Sequence, residues 1–423
     1  MASIQFSKRA QSLQASVIVD LMNQALAQPD ILSLAAGFTD NTMLPRPLVR
    51  EMSTALTEAG LSNEPLQYGQ NQGRLALREL SCRQLAQFPN EAPEAFTAEQ
   101  LFLSNGSQQA LYLAMQTLCD PGSIVLVQDP TYFVFLELLQ GLGIHAEAMP
   151  CDACGQIDFE ALTLRLQAMA ESGGLVRLRA VYLVSYYANP SSHSMGLAEK
   201  KQLARTFLAA GIQVPIIEDA AYRDLFFEEA HTAPSIFSLS EWSTFPKLYL
   251  GTYTKPFATG LKVGFAYCSE SEWLQKMLIT KGHHDFGSAH FNQALVESML
   301  QAGAYAPHLQ TVRQHYAAKS ARLCDALESG GLKALGWDWE VPQGGLILWL
   351  RAPVGMDLRM QSPFCTRCIE QGVLYVPGDL CFARANPWNC ARLAFGALSM
   401  EALSEAAARF CRVAHAFAAC ERS

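Results

Sequence analysis

The chain has no run of about 18 apolar residues, so no membrane-spanning helix is expected. It has no block of Lys and Arg, so nucleic acid is not an expected partner. Its first residues show no basic segment followed by an apolar one, so no secretory signal is expected. No internal repeat and no low-complexity linker interrupts it. Charged residues make up only 17% of the 423, against 50% hydrophobic, and the net charge is −8. That composition supports a large core divided into roughly two to three domains or subdomains. Cysteine, by contrast, is present 12 times. Two C-x-x-C pairs occur, Cys151/Cys154 and Cys365/Cys368. No His joins either pair at ligand spacing and the pairs lie far apart, so no metal is expected. Unpaired thiols in this number fit a reducing compartment, and a cytoplasmic location is expected.

What is there centres on Leu248 to Phe265. Leu248-Tyr249-Leu250 reads as a short buried strand, and a hydroxyl-rich turn follows that ends in Lys255. A Gly-containing loop, Lys262 and a second apolar strand from Val263 to Tyr267 come next. A lysine beside two buried strands is costly unless it is paired or used covalently. Such an amine can hold an aldehyde as a Schiff base, and its pKa falls on desolvation. Thr252, Thr254 and Lys262 offer hydroxyls and a cation suited to a phosphate ester. Lysine, aldehyde and phosphate together describe pyridoxal phosphate. On this stretch alone, a surface lysine in a loop is the ordinary alternative.

The rest of the chain favours the covalent reading. Leu13, Val17, Leu21 and Ala25 predict an amphipathic helix over 8–28, and Ile31 to Phe38 predicts an extended segment ending on small residues. Arg74 to Leu85 reads as a helix. Leu101 to Leu103 reads as a strand, followed by a Gly turn and a helix with Leu111, Met115 and Leu118 on its buried stripe. Strands are expected at 124–127, 178–184 and 214–217, with a helix over 197–210. Strand and helix alternate from about 101 to 268, the pattern of a mostly parallel sheet covered by helices. Ligands in such sheets sit beyond the carboxyl ends of the strands. Ser107, Tyr132, Asn189, Asp219, Tyr222 and Lys255 all fall there.

Residues 280–330 read as helical. Strands are expected within 337–350, at 373–376 and at 391–395, and Ser399 is expected to cap a last helix. The expected organisation is a large α/β domain over 60–295, with 1–59 and 296–423 forming a small α+β domain.

In order along the chain, Leu66 to Gly69, Gly106 to Ala110, Pro130 to Tyr132, Asn189-Pro190, Asp219 to Tyr222 and Thr252 to Lys255 resemble the motifs of the class I/II aminotransferases of fold type I. The match runs from about Leu13 to the last helix. It is nearest the branch containing 2-aminoadipate and aromatic aminotransferases. The resemblance implies a mostly parallel seven-stranded central sheet and pyridoxal 5′-phosphate (PLP) as cofactor. It implies that Lys255 forms the Schiff base and then moves the proton. Asp219 would hold the ring nitrogen protonated, Asn189 and Tyr222 would bond the phenolate oxygen, and Tyr132 would stack on the ring. Ser107, Gln108, Thr252, Thr254 and Lys262 would take the phosphate. Tyr68 would reach the phosphate of the neighbouring subunit of a homodimer. Arg392 would clamp the substrate carboxylate, with Gly37 and Asn189 lining the same pocket.

The chain also departs from the family's pattern. Lys262 stands where the family has arginine, and Asn189-Pro190-Ser191-Ser192 stands where it has asparagine-proline-threonine-glycine. Tyr186, Tyr187 and Pro256 are further differences. These ring the cofactor and leave elimination, replacement or oxidation of an amino acid as alternatives to transamination. No Lys or Arg lies between Ser16 and Gln28 to meet a second carboxylate, so a neutral or aromatic L-amino acid with a 2-oxo acid is the expected substrate pair. A regulator that fuses this domain to a DNA-binding module would need a basic N-terminal extension, and none is seen. A cofactor-free binding module does not fit the intact set of Lys255, Asp219, Asn189, Tyr222 and Arg392.

Overall fold

The computed structural model describes residues 4–13, 30–58, 60, 62–152, 155–384 and 388–420. Most of the helix expected over 8–28 lies outside them, as does Cys154; Lys8–Ser12 is helical. The strands, in chain order, are β1 (Leu32–Ser33), β2 (Leu101–Asn105), β3 (Ile124–Asp129), β4 (His145–Pro150), β5 (Leu178–Val184) and β6 (Ile216–Asp219). They continue as β7 (Lys247–Thr252), β8 (Val263–Cys268), β9 (Ile347–Arg351), β10 (Val373–Leu374), β11 (Val376–Pro377) and β12 (Cys390–Ala394).

Seven of these form the central sheet, in the order β2-β8-β7-β6-β5-β3-β4. Only β8 runs against its neighbours; the other adjacent pairs are parallel. The sheet is therefore mostly parallel and seven-stranded, as expected. Helices cover both faces, which is why β3, β6, β7 and β8 are buried at every residue and read as continuous apolar runs. Strand β4 is not among the expected strands. It is an edge strand in which Ala148 and Met149 alone are well buried, so it carries neither a long apolar run nor a clean alternation.

The helix Gly106–Leu118 packs Leu111, Leu113 and Met115 into the core at 1% exposure or less, whereas Leu118 is half-buried. Each such burial stabilises by roughly 1.5–3 kcal/mol, enough to fix the helix start against the sheet.

Two small sheets lie beyond. β9, β11 and β12 form an antiparallel sheet, and β1 pairs with β10 in parallel. The strand expected over 373–376 is thus divided at Tyr375 between two sheets. Of 337–350, only the stretch from Ile347 is a strand; the tryptophan region joins through an isolated bridge between Asp338 and Arg351. Ser399 Oγ accepts from Ala402 N at 3.2 Å and begins the helix Met400–Cys420. Among the described residues, no helix is long and apolar enough to cross a membrane.

Candidate active site

A cavity of about 470 Å³ opens where the carboxyl ends of the parallel strands meet. Strand β6 ends on Asp219. β5 leads into Asn189, β3 into Tyr132, and β2 into Ser107 and Gln108. Strand β7 ends at Thr252 and turns through Thr254 to Lys255. Because β8 is reversed, its amino end lies beside the carboxyl end of β7, and this brings Lys262 to the same edge. Gly37, which follows β1, and Arg392, on β12, close the cavity from the other side. Each of these residues lines the cavity, and so does Tyr222. Tyr68 does not. It is 80% exposed and lies edge-on to Phe286 at 5.9 Å, on a separate shallow groove with Gly287 and His290.

Lys255 Nζ donates to Gly37 O at 2.7 Å. Burial, and then the nearby cations Arg392 and Lys262, lower its pKa to about 8. The amine is therefore close to neutral under mildly basic conditions, as a nucleophile needs. Asp219 Oδ2 accepts from Tyr182 Oη at 2.7 Å, and Oδ1 accepts from Ala221 N at 3.0 Å. Burial raises the Asp219 pKa, and the two hydrogen bonds oppose that rise. Tyr182 is a site residue that the sequence reading does not include, since it sits within the apolar run of β5. Its polar hydroxyl inside that run is the available signal. Burial also raises the pKa of Tyr222, so its phenol stays a hydrogen-bond donor.

Arg392 is fixed before any ligand arrives. Its Nε donates to Asn189 Oδ1 at 2.9 Å and its Nη1 to Ala35 O at 3.0 Å. An arginine only donates, so it is the amide oxygen of Asn189 that faces it, and the NH₂ group remains as a donor for a ligand oxygen. A Cβ on Gly37 would lie 3.0 Å from Arg392 Nη2, so a side chain there would crowd the guanidinium.

Thr252 Oγ1 is already engaged, donating to Val263 O at 3.2 Å and accepting from Thr254 N at 3.0 Å. Thr254 Oγ1 is buried with no partner. Of the two hydroxyls expected to take the phosphate, Thr254 is therefore the one left open. Thr254 Oγ1 faces the first turn of helix Gly106–Leu118, 3.6 Å from a Cβ built on Gly106. Gly264 makes that approach possible, because a Cβ there would lie 2.5 Å from Gly106 C and 2.6 Å from Ser107 N. A helix N-terminus with an unpaired hydroxyl and a lysine beside it fits an anion.

The departures from the family pattern sit on unusual backbone. Tyr187, Ser192 and Lys262 have φ of 46°, 61° and 56°. Non-glycine residues there cost about 1–2 kcal/mol each, and they persist only where their surroundings hold them. Ser192 keeps the left-handed turn without a glycine: its N donates to Ala188 O at 2.7 Å and its Oγ to Ile347 O at 2.7 Å. Tyr187 N donates to Ser194 Oγ at 2.8 Å. Cys365 and Cys368 are buried free thiols. Among the described residues, no group of three or more His, Cys, Asp or Glu is placed to hold a metal.

The model of the family described as "Aminotransferase class I and II" matches residues 29–410. The chain belongs to this family. Among curated relatives, this aminotransferase is 30% identical to a 2-aminoadipate transaminase of Thermus thermophilus over 409 residues, 96% of each chain. It is 27% identical to an aromatic-amino-acid aminotransferase of Thermococcus litoralis, covering 95% of this chain and 91% of the relative. Among solved structures, a kynurenine aminotransferase of Pyrococcus horikoshii, in complex with PMP, superposes with a TM-score of 0.86 at 26% identity, covering 97% of both chains. The enzyme is a PLP-dependent aminotransferase of fold type I, and the donor set of the cavity fits that cofactor.

Proposed function

We propose that this aminotransferase moves the amino group of a neutral or aromatic L-amino acid to a 2-oxo acid. One observation carries the substrate class. Among the described residues, the basic side chains lining the cavity are Lys255, Lys262 and Arg392. In our reading Lys255 serves the aldehyde, Lys262 the phosphate and Arg392 the α-carboxylate. None is left for a second carboxylate, while Phe38, Phe133 and Val134 supply apolar wall. The stretch 16–28, where the sequence also lacks a cation, lies outside the described residues. A 2-aminoadipate relative points the other way and an aromatic one agrees, so the donor panel decides. With the holoenzyme, kcat/KM should favour aromatic and neutral donors over glutamate and 2-aminoadipate. A preference for the dicarboxylic donors contradicts the assignment.

When bound, PLP supplies an aldehyde that condenses with amines and a ring that accepts the electron pair left when a Cα–H bond breaks. In this reading, the residues do the rest. Asp219 would pair with the ring nitrogen and keep a proton there. Tyr222 and the Asn189 NH₂ would donate to the phenolate oxygen. Tyr132 would stack on the ring. Ser107, Gln108, Thr254 and Lys262 would hold the phosphate, while Thr252, its hydroxyl proton given to Val263 O, would steady the Thr254 backbone. Arg392 would orient the substrate through its carboxylate, and the Lys255 amine would move the proton at Cα. We treat residues 60–295 as the large domain, and 1–59 with 296–423 as the small one. Gly37 and Arg392 then grip the substrate from the small domain.

The Lys255 pKa gives a pH dependence. A folded value near 8, below the usual 10.5, means the folded chain loses this proton first. The lysine's effect on folding therefore becomes more favourable as pH rises from about 8 towards 10.5. The rate at which cofactor-free protein captures PLP should rise through pH 8 and level off above it. A midpoint near 10.5 contradicts the buried, cation-flanked placement.

The proposed active unit is a cytoplasmic homodimer in which Tyr68 completes the neighbouring cavity. Its 80% exposure, away from its own cavity, supports this. Mixing a Tyr68→Ala variant with an inactive Lys255→Ala variant should then raise activity, because hybrid dimers hold one intact site. Plain dilution of the Tyr68→Ala activity contradicts it.

A further inference from the structure

Helix Gly106–Leu118 has asparagine at its N-cap, a residue type that readily caps a helix with its own side chain. Asn105 makes no such bond. Its Nδ2 donates instead to Asp285 Oδ2 at 3.2 Å. Gln109 Nε2 donates to the same oxygen at 2.8 Å, and Gln109 Oε1 accepts from Asn105 N at 2.8 Å. Asp285 is itself fixed. Its Oδ1 accepts from Lys281 Nζ and from Gly287 N, both at 3.1 Å, and Ser288 Oγ donates to Oδ2 at 3.2 Å. The Lys281 side chain is fully buried, so the carboxylate is charge-paired.

We propose that Asp285 is a positioning residue for the cofactor phosphate. By holding the Asn105 and Gln109 amides, it keeps the N-cap side chain off the first-turn N–H groups, which stay open to the phosphate. A helix N-terminus offers those groups to whichever acceptor reaches them first. A self-capping Asn105 would compete with the phosphate for them. The inference rests on the reading that the phosphate sits at this helix start. A negative charge near a phosphate repels it, so a role through charge alone predicts the opposite sign for removing Asp285.

The test is binding of PLP and of pyridoxal, which lacks the phosphate, to cofactor-free protein, followed by absorbance. Asp285→Ala should weaken PLP binding about tenfold, the scale of one capping bond, and leave pyridoxal binding unchanged. Asp285→Ala with Asn105→Ala should recover most of the loss, since the competing cap is gone. Should Asp285→Ala not fold, Asp285→Leu, of similar size and with no acceptor for the two amides, carries the same comparison. Unchanged or tighter PLP binding, an equal loss for pyridoxal, or no recovery in the double variant overturns the proposal. If the unaltered chain does not prefer PLP over pyridoxal, the phosphate placement itself fails, which is a separate and recognisable result.

Discussion

Replacing Asp219 with asparagine is expected to lower turnover by about 10³-fold while making the cofactor-free protein more stable. Asparagine keeps the local bonds: its oxygen can accept from Ala221 N, and its NH₂ can donate to Tyr182 Oη. What it loses is the charge that in the proposed function would keep a ring nitrogen protonated, and electrostatic terms of this kind contribute several kcal/mol to a barrier. The stability effect follows from the raised pKa of Asp219, whose first cause is burial. A carboxyl whose folded pKa lies above its unfolded value favours the fold below the unfolded pKa. That contribution is lost as pH rises through the folded pKa. Above the unfolded carboxyl's pKa, placing a charge at this buried position is thus a cost until a cation pairs with it. The cofactor-free Asn variant should melt roughly 2 °C higher than the unaltered chain. Added PLP should stabilise the unaltered chain more than the variant. Thermal melts with and without PLP check both statements. Equal stabilisation by PLP would place Asp219 away from the ring.

Lys255→Ala is expected to be the most severe change. The account gives this one amine both the anchoring bond and the proton transfer. General acid–base catalysis alone contributes about 10²–10⁴-fold, so the combined loss in kcat should be at least about 10⁴-fold. The visible absorbance band of the bound cofactor should vanish as well. Fold stability should not suffer, because the lost side chain makes one hydrogen bond, to Gly37 O, and its lowered pKa marks its charge as unfavourable where it sits. Arginine at 255 keeps the charge and should be equally inactive. Substantial turnover in either variant would remove Lys255 from the chemistry.

The residues legible in the sequence share one property. Asp219, Lys255, Tyr132 and Asn189 each follow a run of buried apolar residues, and a mostly parallel sheet gathers such positions at one edge. Local pattern is enough to place them. Arg392 lies inside strand β12, and its pairing with Asn189, 203 residues earlier, has no local signature; resemblance names the residue and the structure supplies the partner. Tyr182 escapes a sequence reading because apolar runs read as core throughout. Strand β4 escapes it because an edge strand buries too little to show a run. The strand expected at 214–217 begins at Ile216 and extends to Asp219, because Pro215 lacks the N–H a ladder needs. Asp285 carries no local signal at all: its hydrogen-bond partner Asn105 lies 180 residues away. That Thr252 spends its hydroxyl on Val263 O, leaving Thr254 open, follows from the pairing of β7 with β8 and has no local signature.

The central claim is that these residues carry out an amino transfer in two halves. The measurement that tests it most directly uses the holoenzyme in stoichiometric amounts, with no turnover. An aromatic amino acid is added alone, the visible cofactor band is followed, and a 2-oxo acid is then added. The account predicts that the band bleaches, that one equivalent of the 2-oxo acid of the donor appears, and that the second addition restores the band. Release of ammonia without need of a 2-oxo acid, or a band that the amino acid leaves unchanged, would contradict it.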